Sequence, residues 1–322
     1  MNVILYGATG LLGHNVLITL LQQGHSVITP VRNPKGLQLP PDLANHPNLH
    51  VTDFDNLQPI STDSPSAIIN CAATTDMSLL HYSDYLPMNK TFVERLLQLM
   101  EHHNIKTLVH VSTANTIGYG TKTNPGTEEN DIRPPFSSSY YARSKREGEE
   151  MLLWAAQQHP DWHIVILNPG FMVGAYDTHP SSGKLLLAGY RRPFMVAPKG
   201  GKSFVHVRDV ASAAVNALTM GGNGSRYLLT GQDMSLKEFY ALQARECGYR
   251  QRFFSLPDWM VRAAGRVGDL LRMVGIRTQL STRNVRQLLV MEYYSCEKAR
   301  SELLFTQTPV ATAISDFFNW KF

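Results

Sequence analysis

The most restrictive feature of the chain is a glycine turn near its start. The apolar run Val3–Tyr6 leads directly into Gly7-Ala8-Thr9-Gly10-Leu11-Leu12-Gly13, and a helical pattern follows over Leu12–Gln23. Glycines at this three-residue spacing let a strand turn sharply into a helix and let the backbone approach a pyrophosphate. The helix then presents free N–H groups and the positive end of its dipole to that anion. A glycine triplet alone is a weak signal. Here the strand before it and the helix after it agree with it. The competing reading is a tight strand-to-helix turn with no ligand.

The rest of the chain continues the rhythm. Strands are expected at Ser26–Pro30, Leu49–Val51, Ala67–Cys71, Thr107–Val111 and His163–Leu167. Helices are expected at Met88–His103 and Tyr141–Gln158. Several strands are unbroken Val, Ile and Leu runs, as in a parallel sheet buried on both faces. The expected class is α/β, a Rossmann-type doubly wound parallel sheet with a smaller, mainly helical C-terminal substrate-binding region. Residues 1–168 and about 204–230 are assigned to the dinucleotide-binding part. Residues from about 169 to 203 and 231 to 322 are assigned to the substrate part.

Composition narrows the partners. The formal charge of +4 comes without a dense Lys/Arg run, so a nucleic-acid partner is not expected. Cys71, Cys247 and Cys296 are far apart, which argues against a bound metal or a redox dithiol and fits a reducing, cytoplasmic location. The adjacent His102 and His103 face different ways on a helix and are not a metal pair, and His206 reads as structural. Neither a signal peptide nor a membrane span is expected.

Two further clusters suggest chemistry. The second strand runs out at Arg32-Asn33-Pro34-Lys35. An acidic residue there would bind ribose hydroxyls and favour NAD. Arg32, with Lys35, suits a 2′-phosphate instead, so NADP is preferred, with NAD the alternative. Asp53, after the third strand, reads either as an acceptor for an adenine amino group or as a turn residue. Tyr141 and Lys145 are spaced by four and share a helix face. An ammonium beside a phenol lowers its pKa and makes it a usable acid/base. Thr113 lies just past the strand Thr107–Val111, where open α/β sheets bind ligands, and could hold a carbonyl oxygen.

In order and spacing these segments resemble the extended short-chain dehydrogenase/reductases, the NAD-dependent epimerase/dehydratase family. The likeness covers nearly the whole chain. It rests on the glycine turn, Asn70-Cys71-Ala72-Ala73, Val111-Ser112-Thr113, Tyr141 to Lys145, Asn168-Pro169-Gly170 and Phe204 to Val210. The resemblance implies that Tyr141 is the general acid/base, Lys145 its partner and ribose anchor, and Thr113 the substrate-orienting hydroxyl. It places Leu11 and Leu12 at the pyrophosphate and Asp53 and Phe54 at the adenine. Ala72 and Ala73 would line the cofactor's path, with Pro169, Gly170 and Phe171 beside the nicotinamide. Asn89 would support the active-site helices. Some members dimerise through the helices around 88–103 and 141–158, and others are monomers.

Within the family the chain looks most like the dihydroflavonol 4-reductase-like branch. The likeness lies in Val31-Arg32-Asn33-Pro34, in Pro180 to Lys184 and in Lys298 to Leu303. That branch implies reduction of a ketone or aldehyde, or oxidation of the alcohol. Sugar-nucleotide 4,6-dehydratases carry an Asp-Glu pair after the threonine. Here Ala114-Asn115 stands instead. Epimerases usually carry an arginine where this chain has Lys202, which leaves epimerisation as the runner-up. A non-catalytic NADP-binding sensor is a third reading. The amphipathic stretch Leu256–Ile276 is expected to pack over the substrate pocket with its arginines solvated, and membrane contact is the less favoured reading.

Overall fold

A computed structural model describes residues 1–54, 66–178 and 182–322. Pro180 and Ser181, part of the branch likeness, lie outside the described residues. The strands in chain order are β1 Asn2–Tyr6, β2 Ser26–Val31, β3 Leu49–Asp53, β4 Ala67–Asn70, β5 Thr107–Val111, β6 His163–Pro169, β7 Phe171–Val173, β8 Phe194–Val196, β9 Gly201–His206, β10 Ser225–Leu229, β11 Gln232–Ser235, β12 Arg252–Phe254 and β13 Met291–Glu292. The α-helices are α1 Leu11–Gln22, α2 Phe92–His103, α3 Tyr140–Gln158, α4 Gly183–Gly189, α5 Val207–Asn216, α6 Leu236–Glu246, α7 Asp258–Met273, α8 Thr282–Gln287, α9 Glu297–Leu303 and α10 Val310–Lys321.

Seven strands form the central sheet in the order β10-β6-β5-β4-β1-β2-β3, and every pairing in it is parallel. The order reverses at β1, which puts the glycine turn at the crevice where such sheets bind ligands. The unbroken apolar runs are explained by two-sided burial. Val3 and Leu5 enter the core layer built on α1 and α5, whereas Ile4 and Tyr6 enter the layer that includes residues of α2 and α3. Val165 and Leu167 divide from Ile164 and Ile166 in the same way. This is the period-two alternation of a strand with helices on both faces.

The chain leaves the central sheet after Pro169. A Cβ at Gly170 would stand 2.5 Å from the Ser203 carbonyl oxygen, so β7 can run in against β9 only with glycine there. Strand β9 pairs with β7, β11 and β13 in a second sheet. Phe204–His206 pairs in this second sheet, while Val205 also packs in the core of the central one. Helix α5 and strand β10 do return to that core. Phe204, Phe239, Ile314 and Phe317 are among the residues of a third apolar core around the second sheet.

The expected helix from Met88 begins as a π-helical turn, Pro87–Thr91, and becomes α-helical only at Phe92. That turn buries Asn89 against α3. A Cβ on Gly148 would lie 2.5 Å from the Asn89 carbonyl oxygen. Crowding a closely packed helix contact costs about 1–3 kcal/mol. Gly148→Ala is expected to lower stability by about that amount in urea unfolding. An unchanged midpoint would show that the two segments separate at no cost.

Candidate active site

The glycine turn is built for close approach. Gly7 has φ +82°, and its added Cβ would meet the Ala72 nitrogen at 2.6 Å. At Gly13 the added Cβ would meet the Gly7 carbonyl oxygen at 2.0 Å. The turn is thus seated against the end of β4, and α1 starts with no side-chain cap and no acidic residue in its first turn. Its first amides and dipole are left to face an anion. The short 3-10 turn Pro34–Gly36 leans on the same place, since a Cβ on Gly36 would lie 3.2 Å from Thr9 Cγ2. Arg32 is exposed, with its guanidinium 5.3 Å from the centre of the Phe54 ring. Phe54 in turn packs on Tyr6 and Phe92. Thr9, Arg32, Lys35 and Phe54 therefore gather at the carboxyl ends of β1, β2 and β3. Asp53 closes β3. These residues fit a dinucleotide: uncapped amides for its pyrophosphate and an exposed cation beyond β2.

The second half of the site gathers at β5 and α3. Ser139 caps α3 by accepting from the Ala142 N–H. Tyr141 and Lys145 then project from the same face of the helix, toward the end of β5. The Thr113 side chain faces the Tyr141 hydroxyl closely enough to stabilise its ionised form. Burial nevertheless pushes the phenol up to about 12, with the Glu149 carboxylate adding to the rise and Thr113 working against it. This corrects the sequence expectation: in this arrangement the lysine does not lower the phenol. Lys145 is turned to other partners. It is 1% exposed, donates to the Val111 carbonyl at 2.8 Å and stands 3.2 Å from His110 Nε2.

His110 escaped the sequence reading because a lone histidine inside an apolar strand gives no signal. Its ring is fixed by Asn70. The Asn70 Oδ1 accepts from the Ala72 N–H at 3.0 Å, so Nδ2 is the atom aimed at His110 Nδ1, 3.2 Å away. His110 Nδ1 must then be the acceptor, and the proton of the neutral imidazole sits on Nε2, facing Lys145. Burial holds the ring neutral, well below its usual range. A donor facing Nζ favours an amine over an ammonium. Burial acts in the same direction and brings Lys145 down to about 8, opposed by Glu149 and Cys71.

Glu149 and Thr116, which sequence reasoning missed, form a second buried group with Asn168. Glu149 Oε1 accepts from Thr116 Oγ1 at 2.6 Å and from Asn168 Nδ2 at 2.7 Å. Asn168 also donates to the Thr113 carbonyl at 3.1 Å, which ties β6 to the loop carrying Thr113. Asn89 sits behind the site. Its Oδ1 accepts from the Thr74 N–H at 2.8 Å, and its Nδ2 donates to Ser144 Oγ at 2.9 Å. It therefore fastens the loop after Ala72 and Ala73 to α3. Pro169, Gly170 and Phe171 carry the chain from β6 into β7 on the far side. A separate cleft of 390 Å³ lies beyond Tyr140, lined in part by His81, Arg272, Met273 and Arg283. The C-terminal end of α7 thus borders this cleft, and Arg272, expected to be solvated, is instead bound to the carbonyls of Met77, Ser78 and Leu79.

The sequence profile of the NAD dependent epimerase/dehydratase family matches residues 3–229. A Synechocystis sp. protein named "Putative dihydroflavonol 4-reductase" is 27% identical over 98% of this chain and 92% of its own length. Sterol demethylase protein B of Methylococcus capsulatus is 24% identical over 99% of this chain and 98% of its own. The fold is also that of a solved Thermotoga maritima UDP-glucose 4-epimerase, with a TM-score of 0.77 at 17% identity, covering 100% and 98% of the two chains.

The depressed Lys145 has a measurable sign. Its folded value, about 8, lies below its ordinary 10.5, so the unfolded chain holds the proton more tightly between those values. The folding penalty is complete below about pH 8 and is relieved as pH rises. Wild-type stability relative to Lys145→Met is expected to gain about 3 kcal/mol between pH 8 and 10.5. Urea unfolding across that range checks it. In a His110→Phe background the window should move upward, because the facing donor is gone. A difference that stays flat with pH would mean that Lys145 titrates as an ordinary lysine.

Proposed function

The chain belongs to the NAD-dependent epimerase/dehydratase family and is an NAD(P)-dependent enzyme, and from that premise we propose that it interconverts a ketone or aldehyde and the corresponding alcohol, using NADP(H). The observation that carries this reading is the Thr113–Tyr141 hydroxyl pair at the carboxyl end of β5. A carbonyl oxygen placed between the two hydroxyls would meet one group that positions it and one that protonates it. Burial favours the protonated phenol, which is the form a reductive step requires of Tyr141. A bound dinucleotide supplies or accepts the hydride.

In this reading Gly7, Gly10 and Gly13 leave room for the pyrophosphate, with Leu11 and Leu12 offering amides to it. Arg32 and Lys35 would hold the 2′-phosphate, with Thr9 beneath, and Asp53 and Phe54 would flank the adenine. Ala72 and Ala73 would line the cofactor's path, Lys145 would hold a ribose hydroxyl, and Pro169, Gly170 and Phe171 would border the nicotinamide. Asn89 would act through Thr74 and Ser144. The name of the Synechocystis relative adds support for a reductase.

Two observations weigh against sugar-nucleotide chemistry. Buried Ala114 and half-buried Asn115 follow Thr113, where a dehydratase needs its acid pair. Lys202, at the place of an epimerase's diphosphate-binding arginine, is already paired with buried Glu292.

Tyr141→Phe is expected to lose about 10² to 10⁴ in turnover of any accepted carbonyl substrate while keeping NADPH affinity. Near-native turnover would remove Tyr141 from the chemistry, and 4-epimerisation of a UDP-sugar bound at low concentration would favour the runner-up. Arg32→Ala is expected to weaken NADP binding about tenfold in calorimetry and leave NAD nearly unaffected, consistent with loss of one charge-assisted contact. Equal loss for both dinucleotides would exclude a 2′-phosphate role.

A further inference from the structure

Helix α7 turns its apolar side away from the protein. Trp259, Leu270 and Val274 are 68, 65 and 73% exposed, and Val267 stands out beside them. With Ala263 they recur at four- and three-residue steps, which aligns one face of a helix. The opposite face carries buried Val261, Gly265 and Gly268. Neither glycine has room for a side chain: an added Cβ would stand 2.9 Å from Thr282 Cα at Gly265 and 2.2 Å from the Leu280 carbonyl oxygen at Gly268. This tight seat fixes which face looks inward, so the outward ridge follows from the fold. It continues past the helix through Ile276 and Leu280. Before the helix, exposed Phe254 packs on exposed Phe194 at 5.8 Å. Of the 18 large apolar side chains exposed among the described residues, 12 fall between Phe194 and Leu280. Such gathering marks an interaction surface.

The charge is gathered in the same place. From Arg250 to Leu280 there are six arginines, at 250, 252, 262, 266, 272 and 277, against Asp258 and Asp269. The excess of four equals the formal net charge of the whole chain, +4, so the remainder balances. Both aspartates are engaged, Asp258 with Lys199 at 3.1 Å and Asp269 by the Thr282 N–H at 3.1 Å. Arg272 is spent on backbone carbonyls of the 77–79 loop. Arg262 and Arg266 are exposed, one turn apart, along a flank of the apolar ridge.

We propose that this face docks on the surface of a bilayer containing anionic phospholipid. Helix α7 lies in the interface plane, with Trp259, Leu270 and Val274 among the upper acyl chains and Arg262 and Arg266 at the phosphates. A second copy of the chain fits worse. Two-fold pairing through the ridge would bring these arginines toward their own images, and like charges repel. Anionic headgroups over acyl chains match both the cationic flank and the apolar ridge. No helix among the described residues is long and apolar enough to cross a membrane, so the contact is peripheral. It stands apart from the proposed reaction.

The test is sedimentation of the full chain with vesicles of phosphatidylcholine, with and without phosphatidylglycerol. The protein is expected to pellet with the anionic vesicles and to be partly released by salt. A blue shift in tryptophan emission should accompany binding and be lost in Trp259→Phe. The double variants L270S/V274S and R262E/R266E are each expected to bind about tenfold less. All four positions are exposed, and thermal unfolding followed by circular dichroism confirms that the variants are folded. Absence of wild-type binding to anionic vesicles, or binding by both double variants as strong as that of the wild type, overturns the proposal. A dimer in sedimentation velocity that L270S/V274S dissolves also overturns it, because the face would then belong to a second copy.

Discussion

The site depends on how closely α3 can lie against its neighbours. Gly148 lets the helix touch the backbone at Asn89, where any side chain would collide with a carbonyl. One turn earlier, Lys145 reaches the Val111 carbonyl at the end of β5. One residue later, Glu149 enters the buried group with Thr116 and Asn168. These contacts lock the helix in rotation and along its axis. Tyr141 projects from its first turn, so the position of the phenol over Thr113 follows from packing farther along the same helix. The π-helical turn at Pro87–Thr91 belongs to that seat, since it presents the Asn89 side chain to Ser144 and Thr74 together.

Burial sets the protonation of the two central groups. It favours the neutral form of each, raising the phenol and lowering the lysine. A sequence argument that pairs an ammonium with a phenol takes the ammonium for granted. Here the amine is held by a carbonyl and faces the N–H of a histidine, whose tautomer is set in turn by Asn70. The hydrogen-bond chain from the Ala72 amide to Lys145 links the end of β4, at the glycine turn, to α3. The glycine turn and α3 are thus linked through two buried side chains, Asn70 and His110, on adjacent strands.

The polar groups of the site are buried, and a large apolar surface is left outside on α7. The cost of the first is limited because most of the buried polar atoms find partners within the protein. The second gains nothing from folding, since Trp259, Leu270 and Val274 remain in water. Beside Val261, the inner face of α7 is held by Gly265 and Gly268, where a side chain would collide with the segment from Leu280 to Val285.

The amino-acid sequence by itself determined the α/β class, the placement of six central strands to within two residues at either end, and the glycine turn. Each is local: an apolar run, a three-residue glycine spacing and an i, i+4 pair carry their meaning within a few residues. It also located Thr113, Tyr141 and Lys145 on elements that the fold brings together. Only tertiary structure decided the rest. Strand β9 takes its partners from residues 171–173, 232–235 and 291–292, a choice that no local pattern encodes. His110, Glu149 and Thr116 are single polar residues in otherwise ordinary elements. They acquire meaning only when β5, β6 and α3 converge. The outward face of α7 is of the same kind. Periodicity shows that a helix has an apolar side, whereas which side faces the protein was decided by the close contact of Gly265 and Gly268 with the segment from Leu280 to Val285.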